Sequence, residues 1–208
     1  MKKLIYIPIV HNKADLGSLG SQLSVEGAQK YGASAWQNHL DEVEKSWDKI
    51  ELEIFKRLKK TSFDKIKIYQ DGLPVAGEIG IKIVNDAAGN GSKNYSIIRR
   101  LLAGGANLEL AENKDLLLKE YYLLADINKA ETPEKQLESF LFYQKISGEL
   151  LLSRDHYVAK QINETLKDGE TGIAFFGASH TITDKLKTDI NVIVIQMFKD
   201  DISLNLIK

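Results

Sequence analysis

The chain has 208 residues, of which 43% are hydrophobic and 27% are charged, and its formal net charge at pH 7 is −1. This size and composition are enough to bury a core, and we expect one domain covering residues 1–208. The balanced charge excludes the basic surface of a nucleic-acid-binding protein. Cysteine is absent, which excludes disulfides and thiolate chemistry and leaves histidine and carboxylate as the ligands for any metal.

An apolar run near the start of the chain, from Leu4 to Val10, ends on His11. Its length and its β-branched and aromatic residues predict a buried strand. A signal peptide is the alternative, but the run is short, contains Pro8 and lacks a small-residue cleavage site. No segment approaches the length of a membrane span, so we expect a cytoplasmic protein without a membrane partner.

The residues after His11, from 12 to 20, form a polar stretch with two glycines. Glycine allows the backbone of a loop to approach a ligand closely, so Asp15 and Ser18 in this stretch are candidates for substrate binding. For Asp15, capping of a helix is the alternative interpretation.

The segment from Trp36 to Leu58 has apolar residues at spacings of three and four, which predicts a helix over much of residues 34–60. Trp36 and Trp47 are both expected in the core. The next apolar run is a predicted strand that leads to Asp71. Strand, helix and strand in this order form a βαβ unit, so we expect the two strands to be parallel.

The middle of the chain predicts two short helices and a brief strand. A turn at 72–77 leads into a helix through Val84, and a second helix is stopped by the two glycines at 104–105. The strand that follows, at 107–110, comes shortly before Glu112.

Residues 114–166 have an almost entirely helical pattern with one boundary in the middle. At that boundary Thr132 is a good helix cap, and Pro133 suits the first position of a helix. The segment therefore predicts two helices packed as a hairpin.

Two apolar runs close the chain. One leads to His180, and the other predicts a buried strand over 190–197, with 202–207 as a candidate edge strand. Taken together, the elements predict an α/β fold: a mixed, mostly parallel sheet with helices on both faces and the helical hairpin as an insertion.

Histidine and acidic side chains follow the ends of several predicted strands, where a side chain can face a cleft. His11 and His180 can each act as a metal ligand or as a general base, and the alternative is a histidine that caps a neighbouring helix. Asp71 can complete a set of two histidines and one carboxylate, or orient one imidazole. Its alternative interpretation is a turn residue before glycine.

Glu112 and Arg154 extend this candidate site. Glu112 is a further candidate ligand, although an acid at the start of a helix is also favoured by the helix dipole. A divalent metal, Mn, Fe or Zn, would be held by His11, His180, Asp71 and Glu112. Arg154 can bind a substrate carboxylate or phosphate, or stabilise a developing oxyanion; the alternative is an ion pair with Asp155 or Glu149.

The stretch from Arg154 to His180 carries a specific pattern. Arg154 leads a helix, a glycine at 169 ends it, and an apolar strand runs into Gly177, Ala178, Ser179 and His180. In this pattern the chain resembles the superfamily that contains TraB and GumN proteins, Tiki metalloproteases and erythromycin esterases.

Two further segments carry the same resemblance. The strand that ends at His11 resembles the first histidine motif of the superfamily, and the strand that ends at Asp71 resembles its acidic motif, with Asp71 in place of the usual glutamate. Glu112 matches a further acidic position. Pro8, Ile9 and Val10 stand where relatives typically have Gly-Thr or Gly-Glu.

The resemblance implies an α/β domain whose site contains His11, Asp71, Arg154 and His180, with Ser179 in contact with substrate. The superfamily includes metal-dependent peptidases, esterases said to work without metal, and proteins that bind or signal, so fold resemblance does not select the chemistry.

Two functions therefore stay open. The first is a hydrolase of an ester or amide bond in a small-molecule or peptide substrate, in which the site activates a water molecule with or without a metal. The second is a non-catalytic ligand-binding or signalling protein that uses the same cleft. A homo-oligomer is compatible with either function.

Overall fold

The computed structural model describes residues 1–9, 29 and 32–196. Five strands form one sheet in the order β3-β2-β4-β1-β5, and every neighbouring pair is parallel. The α/β fold is confirmed, and the described sheet is entirely parallel where a mixed sheet was expected. The strands are β1 (Lys2–Ile9), β2 (Ile66–Gln70), β3 (Asn107–Leu108), β4 (Thr171–Gly177) and β5 (Ile190–Val194). The candidate strand at 202–207 lies outside the described residues.

Five helices connect or cover these strands among the described residues. They are α1 (Ala33–Leu58), α2 (Gly77–Gly89), α3 (Lys93–Ala103), α4 (Lys114–Lys129) and α5 (Pro133–Thr165). The predicted cap at Thr132 is confirmed, since its hydroxyl accepts a hydrogen bond from the backbone N–H of Lys135. The Asn113 side chain likewise accepts hydrogen bonds from two amides of α4. No helix in this part of the chain is long and apolar enough to cross a membrane.

The two faces of the sheet are covered by different helices. Successive side chains of a strand point to opposite faces, so Ile5 and Ile7 of β1 join one apolar cluster with α1, α2 and α3. Leu4 and Tyr6 join a second cluster with the C-terminal half of α5. Helices therefore lie on both faces, as the buried apolar strands predicted.

Strands β1 and β4 lie side by side, but the chain leaves them in opposite directions. The connection from β1 crosses to β2 on the α1 face, while the connection from β4 crosses to β5 with Ile182 on the α5 face. Such a reversal opens a crevice at the carboxyl ends of the strands, which is where ligands bind in open parallel sheets. The strand β1 is parallel to β2, as predicted, but β4 separates them.

Some predicted core positions are exposed. Trp47 is fully buried, as expected, whereas Trp36 is only half-buried. In α2 the buried positions are Gly80, Val84 and Ala88, a spacing of four, so Ile79 lies on the exposed side. Among the described residues β5 is the edge of the sheet and pairs only with β1. Of its residues only Ile190 is buried, so it is not the buried strand expected.

The helical hairpin consists of α4 and α5, which pack against each other. Helix α5 has 33 residues and is about 50 Å long. Its buried residues begin at Leu150, so only its C-terminal half packs on the sheet. This half carries Arg154 and Asp155 to the carboxyl edge of the strands.

Candidate functional site

Asp71 follows β2 directly and is anchored to the neighbouring strand β4. Its backbone N–H donates to the carbonyl of Phe175 at 2.9 Å, and its Oδ2 accepts a hydrogen bond from the amide of Gly177 at 2.9 Å. The side chain is only 8% exposed. One backbone bond and one side-chain bond to β4 thus hold Asp71 at the carboxyl edge of the sheet, beyond the role of a turn residue.

Glu112 lies four residues after β3 and is 1% exposed, so its side chain points into the protein. Its Oε1 accepts a long hydrogen bond from the amide of Gly72 at 3.5 Å and a short one from Nη2 of Arg154 at 2.5 Å. Burial raises the pKa of this carboxyl, and the contact with Arg154 opposes the rise. Glu112 is therefore part of the same site as Asp71. Its interaction with the helix dipole alone does not account for these contacts.

Arg154 joins three carboxylates that are distant in sequence. Its Nη2 donates to Oδ1 of Asp71 at 2.6 Å and to Glu112, and its Nη1 donates to Oε2 of Glu120 at 2.7 Å. Burial alone would lower the pKa of the guanidinium, but the bond to Glu112 and the charges of the carboxylates raise it above its ordinary value. The alternative interpretation, an ion pair with Asp155 or Glu149, names the wrong partners, because the arginine pairs with carboxylates beyond its own helix.

His180 lies three residues after β4, in a turn closed by its backbone N–H and the carbonyl of Gly177 at 3.0 Å. Its Nδ1 is 2.5 Å from Oδ1 of Asp155, and its Nε2 is 3.4 Å from Oδ2 of Asp71. The imidazole is 4% exposed and stands edge-on to the ring of Phe176, with ring centroids 5.5 Å apart. Burial would lower the pKa of His180, but Asp71 and Asp155 raise it above its ordinary value.

Asp155 fixes the orientation of His180. Besides the imidazole, its carboxylate accepts hydrogen bonds from the backbone N–H of Thr181 at 2.7 Å and from the Thr181 hydroxyl at 2.9 Å. Burial opposes its ionisation, yet these bonds and His180 lower its pKa below the ordinary value. An ionised Asp155 favours the tautomer with the proton on Nδ1, which leaves Nε2 as the nitrogen that faces the site.

Asp155 and Glu120 were not predicted as site residues. A signal was nevertheless present on α5, whose buried stripe contains Leu150, Val158 and Ile162. Arg154 and Asp155 interrupt this apolar stripe with two charges. Charged residues at buried positions require partners, so the interruption indicates a polar site against the helix.

Three of the predicted metal ligands come together. Asp71, Glu112 and His180 each offer one ligand atom, and these atoms all lie within 4.8 Å of one another. Two carboxylate oxygens and one imidazole nitrogen suit a divalent first-row metal ion. Because Arg154 bonds the same two carboxylates, a bound cation would share them with the guanidinium.

The remaining predicted site residues are not brought together in the described part of the chain. His11, Asp15 and Ser18 lie outside the described residues. Ser179 is described and is exposed in the turn that precedes His180. Its role as a substrate contact stays a prediction.

Comparison with known proteins gives no relative for this chain. No family model matches it, and neither a curated protein sequence nor a solved structure does. The argument for function therefore depends on the site geometry alone.

Proposed function

We propose that this protein is a hydrolase that cleaves an ester or amide bond of a small polar substrate at the site formed by Asp71, Glu112, Arg154, Asp155 and His180. The observation that supports it most is the buried Asp155–His180 pair, whose second nitrogen, Nε2, faces the carboxylates of Asp71 and Glu112 at the carboxyl edge of the sheet. A relationship to the superfamily of TraB proteins and erythromycin esterases is part of the same proposal.

In this proposal His180 takes a proton from the attacking water molecule. Asp155 keeps the proton of the imidazole on Nδ1, so the lone pair of the neutral ring lies on Nε2. When Nε2 gains a proton, the imidazolium is stabilised by Asp155 on one side and by Asp71 on the other. The protonated ring can then return the proton to the leaving group.

Arg154 acts in this proposal as a positioning residue. The four hydrogen bonds that it donates all go to the carboxylates of Asp71, Glu112 and Glu120. Its positive charge offsets the repulsion between two buried carboxylates that lie close together. The guanidinium thus sets the distance between Asp71 and Glu112, and stabilisation of an oxyanion by Arg154 is not required.

A divalent metal ion is compatible with the donor set of Asp71, Glu112 and His180. When bound, such an ion would lower the pKa of a water molecule and polarise a carbonyl group. Its presence is tested by dialysing the purified protein against Zn²⁺ or Mn²⁺ and measuring metal content. One equivalent, lost in His180→Gln and retained in His156→Gln, would make Nε2 of His180 a metal ligand in place of a base; His156 is exposed.

The test of the hydrolase proposal is turnover of a panel of p-nitrophenyl esters, amino-acid p-nitroanilides and phosphoesters, with and without added metal. We expect wild type to cleave at least one ester or anilide, His180→Gln to lose at least 100-fold in kcat/KM, and His156→Gln to match wild type. Circular dichroism confirms that the variants are folded. An inactive wild type, or a fully active His180→Gln, would contradict the proposal.

A non-catalytic binding protein is the second candidate, and burial of the site favours it. His180 and Glu112 have side chains that are 4% and 0% exposed, and Arg154 is enclosed by carboxylates. A buried set of carboxylates and an imidazole is sufficient to bind a cation without catalysing a reaction. Stoichiometric metal binding by a protein that is inert on the whole panel would support this second candidate.

A further inference from the structure

Tyr6 lies on β1 beside the candidate site, on the face of the sheet that α5 covers. Its ring is parallel to that of Phe176 on β4, with an interplanar angle of 3° and centroids 6.4 Å apart. Phe176 in turn contacts the imidazole of His180 edge-on. A row of three rings therefore leads from β1 to His180, across the crevice where the chain direction reverses.

The hydroxyl of Tyr6 has no hydrogen-bond partner among the residues that the structure describes, although the residue is only 5% exposed. Buried hydroxyl groups are normally paired, because an unpaired one loses its bond to water without replacement. The Tyr6 hydroxyl is thus a buried, unpaired donor on a ring that packs against Phe176, the residue in contact with His180.

A second tyrosine of the same cluster shows the ordinary arrangement. Tyr69 on β2 is fully buried, and its hydroxyl forms a hydrogen bond of 2.8 Å with the hydroxyl of Thr165. Both tyrosines fill the same apolar layer, but only Tyr69 has a partner there. Packing in this layer therefore does not explain why Tyr6 carries a hydroxyl.

We infer that the Tyr6 hydroxyl donates a hydrogen bond to the carbonyl oxygen of the bound substrate. The inference depends on the proposed hydrolase function, and it adds a substrate-contacting residue that the motif analysis did not name. A carbonyl oxygen suits this position, because it accepts a hydrogen bond from the protonated hydroxyl. The bond strengthens as negative charge develops on that oxygen during attack, so it favours the transition state over the ground state.

Burial and the two aspartates raise the pKa of Tyr6 well above its ordinary value. The hydroxyl consequently keeps its proton throughout the physiological pH range. Tyr6 therefore serves as a donor, and the role of base stays with His180.

The test compares Tyr6→Phe with the matched control Tyr69→Phe. Tyr6→Phe removes an unpaired hydroxyl, so its melting temperature is expected to equal or exceed that of wild type; Tyr69→Phe breaks a buried bond and is expected to melt lower. On the substrate found with the panel, Tyr6→Phe is expected to lose roughly 100-fold in kcat/KM, mainly in kcat, as for removal of one oxyanion donor. Tyr69→Phe is expected to keep the wild-type rate.

A second measurement follows the NMR signal of Tyr6 and does not require turnover. Tyrosine labelled with ¹³C at Cζ gives one signal per residue, and the signal missing in Tyr6→Phe assigns Tyr6. Acetamide, an inert neutral carbonyl probe, is expected to shift the Tyr6 signal saturably and to leave the Tyr69 signal in place.

The outcomes separate the two proposals. If wild type turns over and Tyr6→Phe retains the full rate, the Tyr6 inference is overturned while the hydrolase proposal stands. If wild type is inert on the panel, the hydrolase proposal fails and the acetamide titration decides: a saturable shift of the Tyr6 signal supports its role as a carbonyl donor, and an unchanged signal overturns it.

Discussion

Arg154 places a positive charge among three carboxylates in a region from which water is largely excluded. Its side chain is 8% exposed, and that of Glu112 is fully buried. An isolated buried charge is strongly unfavourable, whereas a charge with matched partners is tolerated. Removal of the arginine would leave Asp71 and Glu112 close together without a counter-charge.

We therefore expect Arg154→Met to destabilise the protein by about 3–5 kcal/mol at pH 7, since it breaks a buried ion-pair cluster. Urea denaturation measures this free energy. The control is Arg100→Met, because Arg100 forms an exposed pair with Glu51 and its side chain is 63% exposed. That variant should lose about 1 kcal/mol or less. Equal effects for the two variants would show that the cluster does not stabilise the fold.

His180 makes a contribution to stability that depends on pH. Its pKa in the folded protein is raised above the ordinary value of 6.5, so protonation favours the folded state. The contribution is fully present below pH 6.5 and is lost as the pH rises through the folded pKa. We expect the stability difference between wild type and His180→Gln, measured in urea, to be larger at pH 5.5 than at pH 9. A difference that is constant or grows with pH would contradict this assignment.

How far the sequence predicts the site depends on which contacts are local. Asp71 and His180 were found because each follows a short apolar run, and such runs can be recognised from adjacent residues alone. The partners of Arg154 were not found, because Glu112 and Glu120 are 42 and 34 positions away in the chain. The alternative that pairs Arg154 with Asp155 fails because adjacent helix residues point about 100° apart and reach different groups.

At the scale of elements, the hairpin of α4 and α5 differs from the rest of the fold. None of the residues of α4 is buried, and large apolar side chains are exposed on both helices. These exposed residues are Leu118, Tyr121, Tyr122, Leu137, Phe140, Leu141, Phe142 and Leu152. Helix α4 is thus held by its packing against α5 and by its Asn113 cap, without a place in the main core.

Amide hydrogen exchange should reproduce this difference. Segments with few buried contacts open at a low free energy, whereas central strands exchange only on global unfolding. We expect α4 and the N-terminal half of α5 to exchange first and β1 and β4 to exchange last. Mass spectrometry of peptides from these elements measures the order. Protection of α4 equal to that of β4 would mean that the hairpin is covered by something else in solution.

The local pattern predicted most elements but not their order in the sheet. Residue spacing predicted strand β1, helix α1 and strand β2. The helical crossover between the two strands predicted that they are parallel. That β4 inserts between β1 and β2 was not predicted, because strand pairing is decided by contacts across the whole chain. This insertion places His180 beside Asp71, so the site exists only once the last third of the chain has joined the sheet.

At the scale of the whole molecule, the parallel sheet is what makes the candidate site. All five described strands point the same way, so the segments after β2, β3 and β4 meet at one edge. Each of those segments supplies one member of the group Asp71, Glu112 and His180, and α5 lies across them with Arg154 and Asp155.

The dependence of kcat/KM on pH, measured with the best substrate of the panel, tests the central claim that His180 acts as the base. The base must be neutral, and the pKa of His180 is raised above 6.5. We expect kcat/KM to rise about tenfold per pH unit below that pKa and to level off above it, with the midpoint above pH 6.5. A wild-type profile that is flat or falls with pH, or a His180→Gln variant with the wild-type rate and profile, would contradict the account.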